Sequence, residues 1–304
     1  MKSCLKLIII LVFVAVTCFG MTACISYTSQ TRYDDADNYL AGSQTYDAAD
    51  LTGLNIDWKK GKVVLVEDES ATCVTVTEDN ALSDEKKVHS YYHDGVLEIK
   101  FWKSGLRDQV SEKDKCVTIV YRSVHDLDIH MTSGDLIADK VTVERAKIEI
   151  TSGEIDIKRV QANDCECKMT SGDIKLGELT SENVTLKLTS GNLSLGDVRA
   201  ETVTHSQTSG NTRIQRMETG SFTSQSTSGD VDVSFARVQR VSLTMTSGDA
   251  EIGLPEGGAT VSVAMTSGSF KTDLTYVVNM GKYIFGDGQC ELGIKMTSGS
   301  VRIK

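Results

Sequence analysis

Residues 151–207 consist of three consecutive copies of one unit, TSGEIDIKRVQANDCECKM, TSGDIKLGELTSENVTLKL and TSGNLSLGDVRAETVTHSQ. The tag Thr-Ser-Gly that opens each unit begins at Thr132, Thr151, Thr170, Thr189, Thr208, Thr227, Thr246, Thr266 and Thr297. Successive tags are 19 residues apart up to Thr246, then 20 and finally 31. Fixed self-similarity near this length indicates a solenoid, because such short units cannot bury a core alone.

Within each unit, apolar and polar residues alternate with a period of two, as in 173–179 and 184–188. This period is typical of strands and not of helices. Each unit therefore predicts a short strand after the tag, a corner, and a longer strand that runs into the next tag. The predicted fold class is all-β: a single-stranded parallel β-solenoid, or β-helix, right-handed, with coils of about 19 residues stacked at ~4.8 Å.

Two outward columns of the longer strand support this stacking, because the sign of their charges alternates from unit to unit. The first column is Asp128, Lys147, Glu166, and the second, which alternates when its histidine is charged, is His130, Glu149, Lys168. Stacked opposite charges contribute roughly 0.2–1 kcal/mol per pair. The tag itself is interpreted as a corner, with Gly at positive φ and the hydroxyls of Thr and Ser bonded to nearby backbone.

The first 24 residues have the pattern of an export signal, with Lys2 and Lys6 ahead of an apolar run at 7–16. The sequence Met21-Thr22-Ala23-Cys24 that follows resembles the bacterial lipobox. It predicts lipidation at Cys24 and anchoring on the outer face of the bacterial cell membrane. A cleaved secretory signal and an uncleaved anchor are the alternatives. All three export the chain.

The remainder divides into four predicted segments: a polar acidic tether at 25–50, irregular N-terminal coils at 51–131, the regular repeat at 132–268, and a C-terminal capping coil at 269–304. Loop-like insertions are predicted at 78–95 and 103–115, the first with a hairpin turn at Asp94-Gly95. The capping coil contains Tyr276, Tyr283 and Phe285, and Gly286-Asp287-Gly288 is predicted as its hairpin turn.

Composition narrows the choice of partners. The formal net charge of −10 argues against nucleic acid, which needs clustered Lys and Arg. Outside the signal and Cys24, the five cysteines at 73, 116, 165, 167 and 290 are irregularly spaced. Cys165 and Cys167 stand where other units have Val and Leu, so we expect small buried hydrophobes. Neither a metal site nor a cofactor is predicted.

The recurring T-S-G-[DNS]-[IV]-x-[IV] units, and the strand at 61–66 that precedes them, resemble the bacterial domain family known as putative adhesin, whose function is unknown. Export signals and lipoboxes are common companions of this family. The resemblance covers roughly residues 50–304. It implies a solenoid of parallel strands at the cell surface, and adds little about mechanism.

After Lys187 the outward charges of the longer strands give way to hydroxyl and amide side chains. We call this set the hydroxyl face: Thr204, Ser206, Thr208, Thr223, Gln225, Thr227, Ser242, Thr244 and Thr246. Ser262, Ala264 and Thr266 continue the pattern and are expected in the next coil. The face predicts a glycan- or peptidoglycan-docking surface, with ice binding or a merely solvated β face as alternatives.

Two further columns are unusual. His205, Gln207, Ser224 and Ser226 occupy inward positions, where an internal hydrogen-bonded ladder is expected. An Asp, Glu or Asn follows the Gly of seven successive tags, at 135, 154, 173, 192, 211, 230 and 249. Hydrogen bonding in the turn is the expected role of this corner row, and Ca²⁺ binding is the alternative.

Catalytic signatures are missing: His89 and His93 are not followed by a zincin pattern, and the chain has no nucleophile elbow. The functional prediction is a non-catalytic cell-surface lipoprotein, a scaffold or adhesin-like protein for a glycan or protein ligand. One alternative is a polysaccharide-active β-helix enzyme. Another is a protein that senses or sequesters antimicrobial peptides, which its acidic surface would attract.

Overall fold

The computed structural model describes residues 32–79, 82–106 and 115–304. These residues belong to two units: 32–33 with 104–106, and 34–79 with 82–103 and 115–304. In the described part of the smaller unit, the backbone N–H of Tyr33 donates to Ser104 Oγ at 3.1 Å. The lipidation predicted at Cys24 lies outside the described residues, as does most of the insertion predicted at 103–115. All described strands belong to the larger unit.

The larger unit is all-β, as predicted, and its strands form one sheet. The strands are β1 Leu40–Ala41, β2 Gln44–Tyr46, β3 Asp50–Trp58, β4 Gly61–Glu67, β5 Val74–Glu78, β6 His89–His93, β7 Val96–Lys100, β8 Lys115–Tyr121, β9 Ser123–Thr142, β10 Arg145–Gln161, β11 Asp164–Ser190, β12 Leu193–Ser209, β13 Thr212–Ser228, β14 Val231–Ser247, β15 Ala250–Gly253, β16 Gly258–Thr272, β17 Tyr276–Asn279, β18 Lys282–Gly286 and β19 Cys290–Ile303. Short 3-10 turns lie at Ala36–Asn38 and Asp84–Lys86. Of the helical segments in the described ranges, none is long and apolar enough to cross a membrane.

The central coils stack in parallel with an offset of one repeat, which confirms the predicted solenoid. Ile148 of β10 lies between Ile129 of β9 and Cys167 of β11, and all three side chains are buried. Cys165 and Cys167 are buried free thiols, as expected of small core hydrophobes. Burial of such columns contributes roughly 25 cal/mol per Å² of apolar surface. The handedness of the winding stays a prediction.

The tag is a corner with its Gly at positive φ, as predicted, and the Gly position has no room for a side chain. The expected bonds from the Thr and Ser hydroxyls of the tags to backbone are absent from the described residues. Gly191 has a φ of 125°. A Cβ placed on it would lie 1.7 Å from the carbonyl oxygen of Gly172 in the preceding coil. The same contact repeats from tag to tag, so Gly satisfies both the backbone conformation and the close stacking of coils.

The charged outward columns also stack as predicted. Lys147 Nζ lies 3.6 Å from Asp128 Oδ2, and Lys168 Nζ lies 3.0 Å from Glu149 Oε1. The Lys168 ammonium lowers the pKa of the Glu149 carboxyl. Because these groups are partly exposed, each pair adds only a few tenths of a kcal/mol, roughly, but together they penalise a slipped register.

At the N-terminal end, the order of coils in space differs from their order in the chain. β3 pairs in parallel with both β7 and β9, and β4 with both β8 and β9. The coil at 50–67 is therefore enclosed, and the coil at 96–121 lies outside it. Antiparallel strands continue the sheet outward, with β6 and β1 beyond β7, and β5 and β2 beyond β8.

These outer strands correct two predictions from the sequence. The predicted tether at 25–50 contains β1 and β2, and the predicted loop at 78–95 contains β6, with the expected hairpin turn at Asp94-Gly95. Aromatic contacts hold the strands: the ring centroids of Tyr39 and Tyr91 are 5.4 Å apart, and those of Tyr46 and Tyr92 are 5.8 Å apart. Strands of two to five residues are too short for their periodicity to be recognised.

A buried ion pair closes the interior at this end. Lys115 Nζ lies 3.1 Å from Glu78 Oε1, and both side chains are at most 3% exposed. The ammonium also donates to the carbonyl of Phe101 and lies 4.0 Å from the centroid of that ring. Charge pairing, hydrogen bonding and the ring face together compensate for the desolvation of Lys115.

At the C-terminal end, the last strand does not cap the stack as predicted for 269–304. β19 pairs in parallel with β14 and β15 on one side and with β16 on the other. The coil of β16 is therefore the outermost. Residues 253–257 leave the coil before β16, and the backbone N–H of Leu254 donates to the carbonyl of Lys304, so the C-terminus fills the vacated position.

The hairpin at this end also differs from the prediction. β17 and β18 are antiparallel, and their turn is Met280-Gly281, with φ of 48° and 76°. Two positive φ values in a two-residue loop are typical of a type I′ turn. The predicted turn, Gly286-Asp287-Gly288, connects β18 to β19 instead. β18 in turn pairs with the first residues of β16.

Candidate functional site

The structure brings the nine residues of the hydroxyl face together. Thr204, Thr223 and Ser242 are in register across β12, β13 and β14, as are Ser206, Gln225 and Thr244. Thr208, Thr227 and Thr246 lie at the corner, one residue before the ends of the three strands. Neighbouring side chains are ~4.8 Å apart between coils and roughly 6.6 Å apart along a strand.

Most of these side chains are exposed, and Ser206 and Thr223 are half-buried. Within the described ranges, none of these nine side chains forms a hydrogen bond with another protein group. Their donors and acceptors therefore face solvent on a rigid parallel sheet. Burial of alternate residues such as Val203, Phe222 and Val241 holds the strands in place beneath them.

The fourth coil expected in this face is displaced by β19. Gly293 and Lys295 lie between Ser242 and Thr244 of β14 and Ser262 and Ala264 of β16. The hydroxyl face proper therefore spans three coils. From the order of the repeats, Ser262 is expected in the coil next to Ser242. The insertion of β19 between the two coils separates them.

Lys295 is a residue of this surface that sequence reasoning missed. It continues the column Ser206, Gln225, Thr244, which begins beside Lys187 at the other end of the face. Its side chain is exposed, and no carboxylate of the described ranges forms an ion pair with it. It borders a shallow depression together with Thr244 and Thr266. The irregular spacing before Thr297 indicates that the last unit departs from the repeat. It does not show that β19 is inserted between β14 and β16.

Beneath the face, the predicted internal polar ladder forms between His205, Gln207 and Ser224, whereas the Ser226 side chain has no hydrogen bond within the described ranges. His205 Nδ1 lies 2.9 Å from Ser224 Oγ, and His205 Nε2 lies 3.2 Å from Gln207 Oε1 and 3.0 Å from Thr212 Oγ1. Gln207 Nε2 donates to the carbonyl of Gly191 at 2.7 Å. Burial lowers the pKa of His205 to about 4, which only its bond to Gln207 opposes. Thr212, which sequence reasoning missed, completes the network.

The corner row forms the hydrogen bonds expected of turns. From Asp173 onward, each side chain of the row accepts the backbone N–H of the next coil: Asn192 N–H donates to Asp173 at 2.9 Å, and Asp249 N–H donates to Asp230 at 2.9 Å. The row then passes to the inserted strand, where the Ser300 N–H donates to Asp249. These carboxylates thus have a structural role. In the ranges that the structure covers, no three His, Cys, Asp or Glu side chains converge as a metal site.

The stacked coils and the hydroxyl face define a parallel β-solenoid with one extended, solvent-facing polar β face. The sequence profile of the Toastrack DUF4097 family matches residues 52–304, and the chain belongs to this family. This confirms the resemblance to putative adhesins. Among curated proteins, no relative matches this chain.

The chain is also similar to solved structures of proteins from Bacteroides and Parabacteroides species. A putative lipid binding protein from Parabacteroides distasonis is 14% identical, with a TM-score of 0.52 over 87% of this chain and 97% of its own. A putative adhesin from Bacteroides fragilis is 14% identical, with a TM-score of 0.44 over 86% and 96%. A putative adhesin from Parabacteroides distasonis is 15% identical, with a TM-score of 0.47 over 86% and 96%. At these identities the likeness concerns the fold alone.

Proposed function

We propose that this chain is an exported, non-catalytic surface protein, lipid-anchored at Cys24, whose solenoid binds glycan through the hydroxyl face. The observation that carries the proposal is the set of nine hydroxyl and amide side chains that share one face and have no protein partners in the described ranges. In the same coils, by contrast, the corner row and His205, Gln207 and Ser224 of the internal ladder are hydrogen-bonded within the protein.

The chemistry of the face suits polyhydroxylated ligands. Each Ser and Thr hydroxyl can donate and accept, and Gln225 adds an amide, so a row of sugar hydroxyls can be matched without fixed charge. The parallel sheet holds these groups in place, which lowers the entropic cost of binding. None of the nine residues is aromatic. Affinity per site should therefore be modest and depend on hydrogen bonds.

A glycan array tests the proposal. We expect binding to a set of neutral or peptidoglycan-type glycans, and the bound glycans to be recovered intact after prolonged incubation. Binding followed by cleavage would support the alternative of a polysaccharide-active enzyme. Absence of glycan binding, with salt-sensitive binding of cationic peptides instead, would favour the peptide-sequestering alternative, which the net charge of −10 suggests.

The anchor has its own test. Replacing Cys24 with Ala should abolish incorporation of labelled palmitate and shift the chain from the membrane fraction to the medium or the soluble envelope fraction. Cys18→Ala is the matched control and should leave both properties unchanged. Continued labelling of the Cys24→Ala variant would contradict the anchor.

A further inference from the structure

The two ends of the solenoid differ, and the C-terminal end is open. The outer edge of β16 pairs with β18 only from Gly258 to Val261. From Ser262 to Thr272, β16 pairs with β19 on its inner side, and no strand in the described ranges pairs with its outer side. Backbone N–H and C=O groups along this edge are therefore free to pair with another strand.

The core is also open at this end. In the coil of β19, the inward side chains Ile294, Met296 and Val301 are at most 3% exposed. The residues in register with them on β16, Val263, Met265 and Phe270, are only half-buried. The apolar interior of the solenoid thus reaches the surface. A neighbouring coil would bury it, as each coil does for the next.

The hairpin beside this edge exposes further apolar groups. The exposed fractions are 40% for Leu274, 43% for Tyr276, 65% for Val277, 58% for Val278 and 95% for Met280. We call the outer edge of β16 from 262 to 272, together with β17 and β18, the end surface. Contiguous apolar groups of this kind mark interaction sites on soluble proteins.

Charge favours a second copy of the chain as the partner. Residues 262–270 carry no charge, whereas exposed edges are normally protected by Lys or Pro. The rim of the end surface carries Lys271, Lys282, Asp273 and Asp287. A twofold arrangement can therefore place a Lys of one copy opposite an Asp of the other. The central patch is neutral, so two chains that each carry a net charge of −10 can approach there.

At the N-terminal end, the outermost strands of the described residues are short: β1 has two residues and β2 has three, and each pairs on one side only. There the outermost coil is covered by antiparallel β5 and β6, and the interior is closed by the Lys115–Glu78 pair. Head-to-tail stacking of copies therefore finds only these short edges, within the described residues, to pair with the long edge of β16. A self-complementary contact needs only the end surface.

We infer that the end surface binds the end surface of a second copy about a twofold axis, with the two β16 edges antiparallel. This contact pairs the free backbone groups and buries Val263, Met265 and the hairpin side chains of both copies. It goes beyond the proposed function, because it would present two hydroxyl faces on one particle and raise avidity for a repeating ligand.

The test is sedimentation equilibrium of the full chain in density-matched detergent, which reports the mass of the protein alone. We expect a mass about twice that of one chain, and about half that mass for Val278→Glu/Met280→Glu. Both positions are more than half exposed, so the variant should keep its far-UV circular dichroism and its Tm. Gln161→Glu/Gln215→Glu adds the same charge at exposed positions of the central coils and should remain dimeric.

A second variant, Ala264→Lys, places a charge on the β16 edge and should also halve the mass. A wild-type chain that is monomeric throughout the concentration range would overturn the inference, and so would dimers that persist in both variants. In native membranes, labelling of residues 274–280 by a lipid-dissolved photoreagent would show a hairpin inserted in lipid. That result would also overturn it.

Discussion

The corner glycine Gly191 has the strictest stereochemical requirement of the repeat, since its φ is 125° and its Cα faces the Gly172 carbonyl. Gly191→Ala should lower the free energy of unfolding by about 3 kcal/mol, and Gly191→Val by at least as much, because the added Cβ forces adjacent coils apart. Thermal unfolding followed by circular dichroism measures this, with an expected fall in Tm on the order of 10 °C.

Gly293→Ala is the matched control, since it adds the same single carbon to a strand glycine. A Cβ at Gly293 meets its nearest neighbour at 3.8 Å, an ordinary contact. Its Tm should therefore stay close to that of the wild type. Equal stability of Gly191→Ala and the wild type would refute the corner. This requirement could be predicted from the sequence, because the invariant Gly of nine tags breaks the period of two at the same place each time.

Strands β12 and β13 are joined inside the core by the ladder around His205, which makes their stability dependent on pH. The pKa of the buried imidazole is lowered to about 4, whereas an unfolded chain has a value near 6.5. The unfolded state thus binds the proton first on acidification. Stability from this group is complete above pH 6.5 and is lost as the pH falls toward 4, by about 3 kcal/mol.

Chemical denaturation at pH 7 and pH 4 measures this loss. His205→Leu should be less stable at pH 7, because Ser224 and Gln207 lose a partner, yet it should lose about 3 kcal/mol less than the wild type on acidification. The matched control His125→Leu, at an exposed position, should keep the wild-type dependence. An unchanged pH dependence in His205→Leu would show that the ladder does not titrate as described.

At the scale of strands, the sequence predicts the central coils well and the two ends poorly. In the regular units, the alignment of one coil on the next can be read from three features of the sequence. These are the tags, the charge columns and the alternation of buried residues such as Ile148 and Cys167 with exposed ones. The positions of β3, β4 and β19 depend on which two coils leave room for another strand between them. Packing between residues that are far apart in the sequence decides this. A step of 31 residues reveals an insertion, but it does not show that the C-terminus lies inside the stack.

At the scale of the whole molecule, the candidate site follows from repetition. One position per coil, repeated through β12, β13 and β14, converts isolated Thr and Ser residues into a surface. The residues of the hydroxyl face could therefore be predicted from the sequence. Lys295 could not, since its place in the face depends on the insertion of β19. The ligand follows from neither the repeat nor the fold, because the solenoid positions side chains without selecting their partner.

The binding role of the hydroxyl face is the central claim, and titration of an array-selected glycan by calorimetry tests it most directly. Thr204→Val/Thr223→Val/Thr244→Val keeps the shape of the side chains and removes three hydroxyls, so affinity should fall at least about tenfold. The control Thr72→Val/Thr77→Val/Thr180→Val removes exposed hydroxyls elsewhere and should bind as the wild type does. Equal affinity in all three proteins would contradict the claim.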